Sequence, residues 1–159
     1  RWIAAMVRLS DMLEIDRAHL LGKRCPRLPG NPWVTPPAIG EARIAIVTTA
    51  GLHRRDDRVF PMSSAGFRRI PDDAAPGSIV MSHTSHNFDR TGFYEDVNVA
   101  FPLDRIHDLV ASGEIGASAP RHYAFMGAFH EPEKYEEGAK EAANEMHADG
   151  VHVAFLTPV

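Results

Sequence analysis

Eight residues, Ala42 to Thr49 (ARIAIVTT), constrain this chain more than any other stretch. The run follows the charged Glu41, is almost entirely apolar or β-branched, and ends at Ala50-Gly51, where a tight turn is easy. Its length and bounded ends suit a strand buried on both faces rather than a surface strand, which would alternate polar with apolar. Strands of that kind belong to parallel sheets, which need cover on both sides.

The segments around it fit that demand. Residues 2–14 set Ile3, Met6, Val7, Ser10 and Leu13 at helical spacing, predicting an amphipathic helix. Five prolines between Cys25 and Pro37 predict an extended connection. Residues 52–77 are rich in charge, proline and glycine, with Phe60, Phe67 and Ile70 as isolated anchors, and read as a long excursion. Ser78 to Ser82 suits a short strand. Pro102 opens a helix with Leu103, Ile106, Leu109 and Val110 on one face, which Gly113 stops. His122 to Phe129 suits a strand or a turn-rich segment. Residues 133–147 form a helix striped by Tyr135, Ala139, Ala142, Ala143 and Met146, and Val151 to Leu156 form a last strand leaving at Thr157-Pro158. Strands alternating with helices predict a single α/β domain over 1–159. The expected architecture is a mostly parallel sheet with helices on both faces, a Rossmann-like three-layer sandwich incomplete at its C-terminus. The helix and proline-rich connection of residues 1–40 would wrap it.

Composition narrows the function. Seventeen basic against twenty-one acidic residues leave a net charge of -4, which gives no electrostatic reason to bind nucleic acid or an anionic membrane. Cys25 is the only cysteine, so no internal disulfide forms. No apolar run approaches the roughly 20 residues that cross a bilayer. The first residues lack a signal-peptide pattern. A cytoplasmic location is the expectation, with a start at Arg1 that reads as trimmed.

Ligands of open parallel sheets bind at the carboxyl ends of the strands, here Thr48–Gly51, Ser82-His83 and Thr157-Pro158. His83 and His86 with Asp89, Glu95 and Asp96 suit a metal site or an acid–base pair, and equally a set of polar loop residues. Asp96 and Asn98, two apart, either face one ligand together or form an Asx turn ahead of Pro102. His53 with Arg54, Arg55 and Arg58 suits an anionic substrate, but Asp56 and Asp57 between them also suit a neutralised loop. Arg121 could grip a carboxylate and His122 shuttle a proton. Phosphate-loop, zincin and CxxC motifs are missing from the sequence.

Several blocks together carry a family likeness: TTAGLH (Thr48–His53), RRIPDD (Arg68–Asp73), SH (Ser82-His83), EDVNVAFPLDRI (Glu95–Ile106), GEIGASAPRHYAFMG (Gly113–Gly127) and DGVHVAFLTPV (Asp149–Val159). They resemble the selenoprotein B family of glycine/sarcosine/betaine reductase and D-proline reductase. The resemblance implies a B-type subunit that helps cleave a C–N bond reductively in glycine, betaine, sarcosine or D-proline. It implies a pyruvoyl group on a partner subunit, a dithiol reductant, and a selenocysteine or cysteine nucleophile beyond Val159. The corresponding expectation is that the reading frame stops at a UGA codon for selenocysteine or is truncated, and that the 159 residues alone are inactive. Among matched positions, His83, His122 and Asp96 are the expected catalytic residues. Thr48, Thr49, His53, Asn98, Arg121 and Thr157 are the expected substrate contacts, with no metal or cofactor held by the chain itself. Two rivals stand beside this reading. One is a catalytically inactive small-molecule-binding or self-assembling module, the other a metal-dependent hydrolase using His83 and His86.

Overall fold

The computed structural model describes residues 8–23, 30, 33–85, 90–128 and 131–159. The chain divides into two compact units, Arg1–Gly30 and Asn31–Val159. In the first, a short 3-10 turn at Leu9–Asp11 precedes the helix α1 (Glu14–Leu21), none of whose residues is buried. The helix predicted over 2–14 is therefore displaced within the described residues: Ser10 sits in the 3-10 turn and Leu13 caps α1. Ile3, Met6, Val7 and Cys25 lie outside the described residues.

The second unit is mixed α/β with a curled, mostly parallel sheet. Its strands and helices run β1 (Arg43–Thr48), β2 (Leu52–Arg54), β3 (Phe67–Pro71), β4 (Ile79–Met81), α2 (Thr91–Glu95), α3 (Leu103–Ala111), β5 (Ala117–Ser118), β6 (Arg121–Phe125), α4 (Glu136–Ala148) and β7 (Val153–Thr157). As its composition requires, β1 is central. It pairs in parallel with β7 along one edge and with β5 and then β6 along the other, and β3 adds to β6 antiparallel.

The segment 52–77 is not one loop. It holds β2 and β3, and β2 pairs antiparallel with β4 in a separate two-stranded sheet. Phe67 and Ile70, read as isolated anchors, are buried residues of β3, whose Arg68 and Arg69 lie between them.

Apolar side chains gather on both faces of the main sheet, as alternation along a strand dictates. One cluster joins Ile44 and Ile46 to Phe101, Leu103 and Ile106, seating α3 by the face predicted for it. The other joins Phe67, Tyr123, Phe125 and Ala142, seating α4. Gly113, at φ 77°, turns the chain after α3. The α4 stripe differs from the predicted one: Ala139 and Ala143 are exposed, and Gly138 replaces them against Phe125 and Phe67.

A ladder irregularity marks the edge of β1. Arg43 stands opposite Ala117 and Val47 opposite Tyr123, so the β5–β6 side carries two extra residues. Where that bulge removes a backbone acceptor, the Ile46 N–H donates instead to Nδ1 of His122 at 3.0 Å. A second imidazole does the same nearer the start of β1, where Arg43 N–H donates to His152 Nδ1 at 3.0 Å. Two sheet donors are thus satisfied by side chains.

Candidate functional site at the strand tips

Because β1, β6 and β7 are parallel, their carboxyl ends meet. Thr48, fully buried, accepts the Ala50 N–H and donates to the carbonyl of Thr157 at 3.3 Å. Thr49 donates its N–H to the same carbonyl, and its hydroxyl accepts the Val159 N–H at 2.9 Å. Thr157 reaches in turn to the carbonyl of Ala100 at 3.0 Å.

Two glycines let neighbouring backbones close in. Gly51, at φ 63°, donates to Phe125 and accepts from Ser82, and a Cβ there would meet His83 N and Cα at 3.1 Å. Gly127 donates to Thr49 O at 2.8 Å, and a Cβ there would sit 2.7 Å from that oxygen. Although β4 is not part of the main sheet, the Ser82–Gly51 bond still carries Ser82 and His83 to the tips. Beside them Thr49, Phe125, Gly127, Tyr135 and Ala139 line a mostly apolar pocket of about 270 Å³. The Tyr135 hydroxyl donates to the carbonyl of Met126 at its wall.

His83 is buried, and its Nδ1 accepts the Ser85 N–H at 3.2 Å. Burial, and then the charge of Arg90, push its pKa below the usual histidine value, so the ring is neutral near pH 7. His53 is also buried. Its Nδ1 faces the Arg54 carbonyl at 2.7 Å and its Nε2 faces the Ser82 hydroxyl at 2.6 Å.

The other expected site residues are held elsewhere. Arg121, at the start of β6, makes a two-pronged bond to Asp149 at 2.7 and 2.9 Å and lies 3.6 Å from Glu145. His122 uses Nδ1 in the ladder, and its Nε2 lies 3.0 Å from Asp72. Burial lowers its pKa against the pull of Asp72. That carboxylate also accepts from Ser118 and His107. Burial pushes its pKa up, but these hydrogen bonds outweigh it and hold the group below its ordinary value. Asp96 and Asn98 form the turn ahead of α3, near Ala100. Asp96 accepts from the Asn98 amide and N–H, and Asn98 bonds Asp104 through both its side-chain atoms. The Asx-turn alternative describes them.

His86 and Asp89 lie outside the described residues. Among the described residues, no group of three His, Cys, Asp or Glu could hold a metal ion, and no helix is long and apolar enough to cross a membrane. Sequence reasoning did not assign roles to Ser82, Asp72, His107 or Gly127. Ser82, Asp72 and Gly127 stand inside recognised blocks, which was the available signal.

The model of the family described as glycine/sarcosine/betaine reductase selenoprotein B matches residues 27–159. The chain belongs to this family. The D-proline reductase subunit gamma of Acetoanaerobium sticklandii is 32% identical over 134 residues, 78% of this chain and 54% of that protein. The chain thus spans about half the length of the curated relative it matches. No solved structure matches it. Within the selenoprotein B family member described above, the matched region takes in every strand of the main sheet and therefore the whole strand-tip cluster.

Proposed function

We propose that this selenoprotein B chain supplies the substrate-binding crevice of a reductase that cleaves the C–N bond of glycine, betaine, sarcosine or D-proline in the cytoplasm. One observation carries the reading. Thr48, Thr49, His83 and Thr157, expected from sequence to share a site, converge at one end of a parallel sheet, next to a small pocket. A Rossmann-like three-layer arrangement of the sheet and its helices belongs to the same proposal, since such sheets bind ligands at this end.

In this reading Thr49 and Tyr135 border the substrate and His83, neutral at pH 7, takes or gives the proton. The nucleophile is a selenocysteine or cysteine outside these residues. A partner subunit brings a pyruvoyl group and a dithiol system regenerates the thiol or selenol. Arg121 and His122 serve the framework, because their polar atoms are already engaged.

Titrating the isotope-labelled chain with glycine, sarcosine, betaine and D-proline tests this. At least one ligand is expected to shift the amides of Thr49, Gly127 and Tyr135. Silence toward all four, or shifts confined to Arg121 and Asp96, overturns it.

A second reading is a non-catalytic, self-assembling module. It is favoured by the outer edge of β7, where Ala154, Phe155 and Leu156 are all exposed. Light scattering after size exclusion separates a discrete oligomer from a monomer.

A further inference from the structure

We propose that Ser82 and His53 form a base-assisted hydroxyl beside the strand tips, a nucleophile able to take an acyl group from an activated ester. The proposal does not depend on the reductase reading.

The tautomer follows from the partners. A carbonyl oxygen only accepts, so the nitrogen facing it must carry the hydrogen, and His53 Nδ1 donates to Arg54 at 2.7 Å. In the neutral ring Nε2 then holds a lone pair, and the Ser82 hydroxyl donates to it at 2.6 Å. Nucleophile, base and orienting group therefore stand in the order that activates a serine. The imidazole edge rests on Phe60, with ring centroids 6.3 Å apart, which limits its rotation.

Exposure is divided as such a pair requires. His53 is 3% exposed, whereas Ser82 is only partly buried, so a ligand meets the hydroxyl and not the base. The position is fixed through the backbone: His53 pairs with Val80 across the two-stranded sheet, and Ser82, two residues on, is tied to Gly51 by its N–H at 3.0 Å. A bond that merely joined β2 to β4 would need neither the fixed tautomer nor a partly exposed serine.

In the step itself the Ser82 oxygen attacks the ester carbonyl and its proton moves to His53 Nε2. The new C–O bond forms as the bond to the leaving group breaks, and the leaving group departs with the electron pair. His53 then returns its proton to solvent. No oxidant or reductant enters.

The full chain treated with p-nitrophenyl acetate and mapped by tandem mass spectrometry is expected to be acetylated at Ser82 well ahead of the exposed Ser112. Ser82→Ala should remove that adduct, and His53→Gln should slow its formation about a hundredfold, as loss of a general base does. Because His53→Gln could disturb folding, nitrogen NMR of the unmodified chain provides an independent reading. Nδ1 protonated and Nε2 bare is expected for His53. Labelling of Ser82 no faster than Ser112, labelling indifferent to His53→Gln in a folded variant, or a proton on Nε2 overturns the proposal.

Discussion

His122 completes a sheet ladder that the backbone leaves open: its Nδ1 accepts the N–H of Ile46 at 3.0 Å, in the fully buried interior between β1 and β6. A nitrogen that accepts carries no hydrogen, so the proton of the neutral ring sits on Nε2, facing Asp72.

Replacing the ring therefore separates its two duties. His122→Leu strands the Ile46 donor and should cost about 1–3 kcal/mol for that group alone. His122→Asn keeps an acceptor near the Nδ1 position and should cost less. Urea unfolding of both variants checks the order.

The same ring sets a pH dependence. Burial lowers the His122 pKa below its ordinary 6.5, so the folded chain favours the neutral form and the unfolded chain takes up the proton first. Stability is fully present above about pH 6.5 and declines as pH falls toward the lowered value. His83 acts in the same direction. Asp72, held below its usual 3.8, keeps its contribution until more acid conditions. Melting temperatures between pH 7 and pH 5 should fall, and fall less steeply in His122→Asn.

Gly127→Ala tests the strand-tip crevice. The added methyl would lie 2.7 Å from Thr49 O and 2.8 Å from Thr49 Cβ, so backbone must move. A loss of about 1–3 kcal/mol is expected, as for other overpacked sites, together with displaced resonances of Thr49 and Tyr135. An unchanged spectrum would show that the two tips do not approach so closely.

Arg121→Ala should behave as loss of a half-exposed ion pair, costing about 1 kcal/mol or less and weakening with added salt. Its pair with Asp149 lies at the start of β6, away from the pocket. Any ligand response at Thr49 should survive the substitution. A lost response would return Arg121 to the substrate.

A turnover assay of the chain alone, with a dithiol and glycine, betaine or D-proline, should give no product above blank. Cys25 is its only thiol, and the function proposed above places the selenol or thiol nucleophile outside these residues. Measurable turnover would refute both the division of labour and the need for a partner.

How much of this the sequence disclosed depends on the range of the forces involved. β1, β7, α3 and the body of α4 were legible, because periodicity and bounded apolar runs are local signals. Thr48, Thr49 and Thr157 were legible as strand-tip residues because they end such runs. β3 was hidden: Arg68 and Arg69 cover a short edge strand with charge, although Arg69 lies over the Phe67 ring at 4.7 Å and reaches Glu141 and Glu145 on α4. The bond of Arg121 to Asp149 was not legible, because the two are 28 positions apart. The roles of His122 and of the His53–Ser82 pair depend on contacts 76 and 29 positions apart, which no local pattern encodes.

The outer side of β7 has a practical consequence for anyone handling this chain. Its last strand presents Phe155 at 46% and Leu156 at 67% exposure on opposite faces. Strand-by-strand association, the second reading above, would run along that margin, and added charge there would oppose it. A lysine at Ala154 or Leu156 is the economical remedy. It touches neither the crevice nor the imidazole that bridges β1 and β6.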